Sequence, residues 1–536
     1  MTQRGKYLIG VDVGTGSARA GVFDLAGRML GSAKQDITIW REPGSIVEQS
    51  GNQIWQAVCA SVKGAVAQAA IAPEDVAGIG FDATCSLVVL DGDGAPLAVG
   101  PSNDPERNII VWMDHRAIAQ AERINAQGHD VLKYVGGVIS PEMETPKILW
   151  LAEEKPETFA KAGHFFDLAD YLGWRATGSL ARSTCTVTCK WTYLAHEGRW
   201  DDSYFRQIGL GALADEGFAR IGTEIVAPGT PLGAGLTAAA AADLGLVAGI
   251  AVGAGLIDAH AGGVGTVGAE GAPTDSLAYV FGTSSCTMTT TKDPVFVPGV
   301  WGPYYQAMVP DMWLNEGGQS AAGAAIDQLI AFHPATTEAA SAAAKAGQPL
   351  PVWLADRALE KAKAADAIAL AGEIHVVPEF LGNRAPFADP HARAVIAGLG
   401  MERDLDSLIA LYVAGVASIG YGLRQIIETQ AANGAVVKQI VISGGAGAHD
   451  LTRQILADAT GLPLVATEAE EPVLLGSAIL GAVASGKNDS MTQAMAAMTR
   501  TEKTYLPEPQ AVARHDARFA AFRKLQDCVR TLRAAS

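Results

Sequence analysis

One short pattern occurs twice, half a chain apart. The segment Tyr7–Val13 is rich in strand formers and runs into Gly14-Thr15-Gly16-Ser17, after which residues 18–24 read as a second strand. Ser276–Phe281 likewise runs into Gly282-Thr283-Ser284-Ser285 and a strand over 286–291. Gly14 and Gly282 lie 268 residues apart, half the length of the 536-residue chain. A strand–turn–strand element at this spacing predicts an internal duplication. Two unrelated hairpins would give the same short pattern, but equivalent placement in the two halves favours duplication. The expected product is an α/β chain of two lobes, each opening with a turn of small residues, facing one another across a cleft. The length suits this, being too long for one ordinary domain and comfortable for two of roughly 200–250 residues. A hinge is expected in the glycine-rich segment 251–268, giving lobes over 1–266 and 267–536.

Composition narrows the function classes. Hydrophobic residues make up 49% of the chain and charged residues 18%, enough for a large packed core. With 40 Lys+Arg against 57 Asp+Glu the net charge is −17, which argues against a nucleic-acid or anionic-membrane binder. It does not argue against a small anionic ligand, because a nest of backbone N–H groups binds phosphate inside an acidic protein. The six cysteines are scattered without a CxxC pair, and Cys185 and Cys189 alone are a weak metal signal, so reduced thiols in a cytoplasmic protein are expected. The basic start of the chain runs straight into a glycine-punctuated strand, unlike a signal peptide. No uninterrupted apolar run reaches 18 residues, so no membrane span is expected.

Along the first half, a third strand is expected at 28–37 and a helix over 51–70 with Ile54, Val58 and Val62 on one face. Short strands at 76–81 and 87–90 flank the polar insert Asp82-Ala83-Thr84-Cys85-Ser86. The Ala/Gly-rich run 232–256 reads as a helix followed by a strand. Residues 335–370 read as helical, with a solvated low-complexity tract at 339–347, and the tail from 506 as a polar amphipathic helix.

Four places can carry chemistry. Asp12 ends an apolar strand beside a turn whose N–H groups can converge on phosphate, and a carboxylate there can hold Mg²⁺, which shares hard oxygen ligands with phosphates. The pattern is not a Walker loop, nor a Rossmann turn, since a hairpin and not a helix follows. Asp258 follows a strand and opens a small-residue helix at the hinge; it can serve as a general base toward a substrate hydroxyl, and equally as a helix cap. Ile442-Ser443-Gly444-Gly445 ends a buried strand before a helix, a geometry compatible with a nucleotide. Glu316-Gly317-Gly318 reads as a turn before a helix reaching about Ile330, with polar members able to face the cleft. His260 reads as a structural histidine.

Nine segments in order carry a resemblance: IGVDVGTGSARAGVFD from Ile9, GFDATCSLVVLD from Gly80, VWMDHRA from Val111, CKWTYL from Cys189, GLIDAHAGGVG from Gly255, VFGTSSC from Val280, NEGGQSAAG from Asn315, PEFLGNRAPFADP from Pro378 and ISGGAGAHD from Ile442. The chain resembles the FGGY family of carbohydrate kinases along nearly its full length, and within it the ribulokinase-like branch. The resemblance implies two ribonuclease-H-like lobes of the actin/hexokinase type, with ATP and sugar in the central cleft. It implies Asp258 as catalytic base and Asp12 as the metal-associated aspartate. It places Gly14, Thr15, Gly16, Ser17 and Arg19 in the first phosphate loop, Gly282, Thr283 and Ser284 in the second, and Gly323, Gly444, Gly445 and His449 at the nucleotide. It places Thr84, Cys85, Trp112, Asp114, Lys190, Glu316 and Asp258 at the sugar. Relatives often carry asparagine where this chain has His449.

The function implied is ATP- and Mg²⁺-dependent phosphorylation of a pentulose, D-ribulose giving D-ribulose 5-phosphate. L-ribulose, ribitol, xylulose and glycerol are the alternative acceptors. A nucleotide-dependent sensor without kinase activity is the alternative of a different class, and retention of Asp258 and both phosphate loops argues against it. A homodimer is common in the family.

Overall fold

The computed structural model describes residues 5–269 and 271–534. The basic start of the chain, residues 1–4, lies outside them. Two open sheets of matching topology form the framework. In the first, the strands run in the order Ala251–Ile257, Val76–Ala83, Tyr7–Val13, Ser17–Asp24, Met29–Asp36. The first three are parallel and the last two continue as an antiparallel meander. In the second, Ser276–Phe281 takes the central place, with the meander Ser285–Thr291 and Trp313–Gln319 on one side and the parallel strands Gln439–Ser443 and Leu464–Thr467 on the other. Edge strands Trp301–Tyr305 and Thr501–Tyr505 extend it. The shared strand order is the expected duplication. A third, antiparallel sheet holds Trp40–Glu42, Ile46–Gln49, Ile109–Ile110, Leu87–Asp91 and Ala162–Asp167. Its strand Leu87–Asp91 follows directly on the insert 84–86, so Thr84 and Cys85 sit where the chain passes from one sheet to the next.

The glycines of the first sheet have a packing reason. The helix Pro472–Ala484, from the second half of the chain, lies directly on it. A Cβ on Gly10 would stand 1.9 Å from Leu474 O, one on Gly80 2.0 Å from Ser477 O, and one on Gly78 2.2 Å from Gly481 O. The same helix packs against Asp258–Val264, where a Cβ on Gly265 would meet Pro472 O at 1.9 Å and one on Gly476 would meet Ala261 O at 1.9 Å. Backbone-to-backbone contact of this kind leaves no room for a side chain. The first sheet is therefore covered in part by residues beyond 266, although no sheet takes strands from both halves of the chain.

Several local expectations need correction. Glu316, Gly317 and Gly318 are strand residues within Trp313–Gln319, and the following helix is Gly323–Phe332. The helical stretch expected over 335–370 divides into Thr336–Lys345, Leu350–Lys361 and a 3-10 segment Ala364–Ala371. The tract 339–347 is not wholly solvated: Ala339 and Ala343 are buried on one face of the first of these helices. Leu405–Ala432 is long and apolar enough to cross a membrane, yet 72% of its most apolar window is buried among the second half's core residues. It is the central helix of that lobe.

Candidate active site

Three carboxylates converge at the C-terminal ends of the three parallel strands of the first sheet. Asp12 is paired in register with Asp82, and Asp82 with Leu256, two residues before Asp258. Asp12 and Asp82 are buried and Asp258 is half-buried. Burial pushes the Asp258 carboxyl up to about 6, and the charge of Asp12 adds to the rise; the Ala259 N–H and the charges of Lys190 and His260 hold it back. The Asp258 side chain accepts a hydrogen bond from Ala259 N at 2.7 Å. Asp82 is raised well above the usual carboxylate range by burial and then by Asp12. Ser477 Oγ, on the helix from the second half, donates to Asp82 Oδ2 at 2.5 Å, while Asp82 Oδ1 has no partner among the described residues. Nothing local marks Asp82 in the chain, where it looks like part of a polar turn until the strands are aligned.

Arg19 stands opposite Asp12 in the neighbouring strand. Its Nε donates to Asp12 Oδ2 at 2.9 Å, a second guanidinium nitrogen bonds the same oxygen, and the third donates to Glu471 Oε2 at 2.8 Å. Arg19 thus ties the first lobe to the segment leading into Pro472–Ala484. The first turn closes with Gly14 N donating to Ser17 O at 3.0 Å, and it borders a cleft of about 510 Å³ lined also by Arg19, Lys34 and Glu471. The second turn closes one residue sooner, Gly282 N donating to Ser284 O at 2.9 Å. It is stitched to the start of Gly323–Phe332 by Ala322 N and Ala324 N on Thr283 O and by Gly323 N on Gly282 O.

Gly323, Gly445 and His449 meet in a pocket of about 260 Å³ lined also by Ile326, Val352 and Tyr412. Its size and apolar walls suit a purine. Gly444 adjoins it with φ +96°, and a Cβ there would lie 2.4 Å from Phe281 O. His449 caps the helix Asp450–Thr460, its Nδ1 accepting from Leu451 N at 3.1 Å, while Nε2 pairs with Asp356 Oδ1 at 3.1 Å. The imidazole therefore does the capping work that an asparagine side chain also performs.

The sugar candidates divide into two groups. Lys190 ends the helix Thr184–Lys190, and Glu316 is held in its strand opposite Trp301. Lys190 Nζ lies 5.6 Å from the Trp301 ring centre, and the Arg384 guanidinium 5.7 Å from the same ring. Burial works against the Lys190 charge, but Cys85 and Glu316 outweigh it and raise its pKa. Glu316 is drawn down to about 2: burial opposes its charge, and His260, Lys190 and Arg384 overcome that. The second group is engaged by protein. Trp112 Nε1 donates to Thr15 Oγ1 at 2.9 Å, which makes it a support of the turn at Gly14. Asp114 is saturated: Val47 N, Arg116 N and two guanidinium nitrogens of Arg116 fill its two oxygens. No lone pair remains for a hydroxyl, so the expected sugar contact at Asp114 gives way to a structural role. Thr84 Oγ1 pairs with Ser86 Oγ at 3.2 Å, and Cys85 is buried beside Lys190.

The family's N-terminal domain, "FGGY family of carbohydrate kinases", matches residues 7–265, and its C-terminal domain matches residues 277–485. The chain belongs to the FGGY family of carbohydrate kinases. It is accordingly a phosphotransferase with an alcohol group as acceptor, and the kinase family implies use of ATP. A human FGGY carbohydrate kinase domain-containing protein is 47% identical over 97% of this chain and 96% of its own length. The D-ribulokinase of Saccharomyces cerevisiae is 40% identical over 90% of this chain and 72% of its own. The fold matches that of a xylulose kinase from Rhodospirillum rubrum with a TM-score of 0.80 at 21% identity, covering 98% of this chain and 99% of that one.

Among the described residues no group of three or more His, Cys, Asp and Glu side chains has metal-holding geometry. Mg²⁺ shared with nucleotide phosphates needs only one or two carboxylates, however. The unpartnered, buried Asp82 Oδ1 beside Asp12 fits that more modest requirement.

Proposed function

We propose that this FGGY kinase phosphorylates the terminal hydroxyl of a pentulose, D-ribulose giving D-ribulose 5-phosphate. The observation that carries the reading is Asp258, a half-buried carboxylate at the end of a parallel strand with a pKa raised to about 6. Near neutral pH it is ionised yet basic enough to accept a proton, which is the tuning a general base requires. The D-ribulokinase relative and the Lys190–Glu316 pair, a donor beside an acceptor, support an open-chain ketose as acceptor.

In this mechanism Lys190 and Glu316 orient the sugar, and Asp258 takes the proton of the terminal hydroxyl. The freed oxygen bonds to the γ-phosphorus, the bond from that phosphorus to the β,γ-bridging oxygen breaks, and ADP leaves with the electron pair. The two small-residue turns approach the phosphate chain from the two lobes, and their N–H groups stabilise charge as it moves toward the leaving oxygen. Asp12 and Asp82 would hold Mg²⁺, which supplies charge neutralisation on the phosphates when bound. The domain division at residue 266 then separates a sugar-and-phosphate lobe from a nucleotide lobe, with Asp258–Val264 and Pro472–Ala484 as the paired hinge helices.

Sugar-dependent ADP release over a panel of D-ribulose, L-ribulose, D-xylulose, ribitol and glycerol tests the reading. D-ribulose should give the highest kcat/KM. A higher value for glycerol or D-xylulose would overturn the substrate assignment, and ADP release insensitive to every sugar would overturn pentulose kinase activity itself.

A further inference from the structure

Three separate elements carry the side chains proposed at the acceptor sugar. Lys190 ends the helix Thr184–Lys190, Asp258 directly follows the strand Ala251–Ile257, and Glu316 lies in the strand Trp313–Gln319. The two strands belong to different sheets, so no backbone ladder fixes the three groups relative to one another.

One buried sulfur links all three elements. Cys185, the second residue of the helix that ends in Lys190, accepts a hydrogen bond from Ile257 N at 3.3 Å, and Ile257 immediately precedes Asp258. The same Sγ lies 3.1 Å from His260 Nδ1, and His260 Nε2 lies 3.3 Å from Glu316 Oε2. Cys185 and His260 are both fully buried. The helix is itself pinned: Asp170 accepts from Ser183 N at 2.9 Å and from Thr186 Oγ1 at 2.7 Å, and Thr184 Oγ1 donates to Gln306 O at 2.9 Å. A free cysteine in a core ordinarily behaves as a small hydrophobic group. This one instead meets two nitrogen atoms on two different elements.

We propose that Cys185 is a positioning residue for phosphoryl transfer: through Ile257 N and His260, its sulfur holds the base Asp258 and the carboxylate Glu316 in place relative to Lys190 on its own helix. This rests on the pentulose kinase reading. Without the sulfur, the imidazole loses the contact that sets its orientation, and Glu316 is left with a partner free to turn. A misplacement on the order of 1 Å in a substrate clamp costs up to about 10²-fold in rate.

The test compares full-length wild type, Cys185→Ser and Cys185→Ala in initial-rate kinetics with D-ribulose and with ATP, each varied at saturation of the other. Serine and alanine leave nearly the same space where the sulfur stood, but only serine keeps a lone pair for Ile257 N–H and the imidazole. Cys185→Ala should lose about 10-fold in kcat/KM for D-ribulose, mostly as a raised KM, with the KM for ATP unchanged. Cys185→Ser should recover most of that loss. An alanine variant with wild-type sugar kinetics overturns the inference and leaves the kinase reading intact. So does a serine variant no better than alanine, which would make Cys185 a packing residue. Equal rises in both KM values, the mark of general loosening, overturn it as well. A wild type with no pentulose turnover overturns both readings. If Cys185→Ala does not fold, His260→Phe takes its place, keeping a ring but offering Cys185 and Glu316 no nitrogen. A wild-type KM for D-ribulose in that variant overturns the inference.

Discussion

His260 Nε2 lies 3.3 Å from Glu316 Oε2, joining the helix that begins at Asp258 to a strand of the opposite sheet. The other ring nitrogen, Nδ1, is 3.1 Å from Cys185 Sγ, and Cys189 adjoins one turn further along. One short helix therefore carries the proposed base at its first residue and fixes Glu316, the proposed sugar-holding carboxylate, from its third. The His260 pKa is raised to about 10, because the Cys189 and Glu316 interactions outweigh burial, which lowers it. Removing the imidazole should free Glu316 to move while leaving Asp258 in place.

The His260–Glu316 pair sets a pH dependence of stability. A histidine whose folded pKa exceeds its unfolded value contributes stability fully below about 6.5, and loses it as pH climbs toward 10. Glu316, lowered to about 2, contributes above its ordinary range near 4.5 and loses this only as pH falls toward 2. The Tm difference between wild type and His260→Asn should accordingly be largest between about pH 4.5 and 6.5 and shrink toward pH 10. A difference that is flat over this range would show that the contact carries no ion pair.

Asp258 behaves in the sense opposite to Glu316 and the same as His260. Its folded pKa, about 6, is above the unfolded value of 3.8, so its ionisation destabilises the fold as pH rises through this interval. Asp258→Asn should therefore stabilise the fold at pH 8 by about 3 kcal/mol, seen as a higher Tm, and leave it unchanged at pH 3. In the wild type, kcat/KM should fall tenfold per pH unit below about 6, because only the ionised carboxylate accepts a proton. Calorimetry and a pH–rate profile check the two halves of this statement.

Much of this site was legible in the chain because its signals are local. The two turns at Gly14 and Gly282 declare themselves by composition and spacing, and Asp258 by its place between a strand and a small-residue helix. Asp82 was not legible, since only the register of three parallel strands drawn from residues 7, 76 and 251 onward aligns it with Asp12. Asp114 looks like a ligand in sequence because nothing there shows that Arg116 and Val47 already occupy it. Glu316 looks like a turn residue because the two glycines after it are strand breakers by propensity; in the fold Gly318 is needed, its Cβ position lying 2.0 Å from Ser285 O. The reach of Pro472–Ala484 back onto the first sheet leaves a trace in Gly10, Gly78 and Gly80, but no local rule says which helix those glycines admit.

Gly444→Ala should weaken nucleotide binding through the backbone. At φ +96°, with Phe281 O only 2.4 Å from where the methyl would stand, alanine meets both strain and a clash. A loss of about 1–3 kcal/mol in stability and a raised KM for ATP are expected, with the KM for sugar little changed. Thermal unfolding and initial-rate kinetics measure both.

Asp12→Asn should raise the Mg²⁺ concentration needed for half-maximal rate, because an amide is a weaker ligand for a hard dication. It also releases Arg19, which keeps Glu471 at 2.8 Å as its remaining carboxylate partner. A Mg²⁺ titration of the variant that overlays the wild type would assign Asp12 to holding Arg19 alone.

Proton transfer from the acceptor hydroxyl to Asp258 is tested by the turnover of D-ribulose by Asp258→Ala at saturating ATP and Mg²⁺, with nucleotide affinity measured on the same preparation. If Asp258 is the base, kcat falls about 10²- to 10⁴-fold with ATP binding unchanged. A variant that turns over D-ribulose at the wild-type rate would show that Asp258 is not the base.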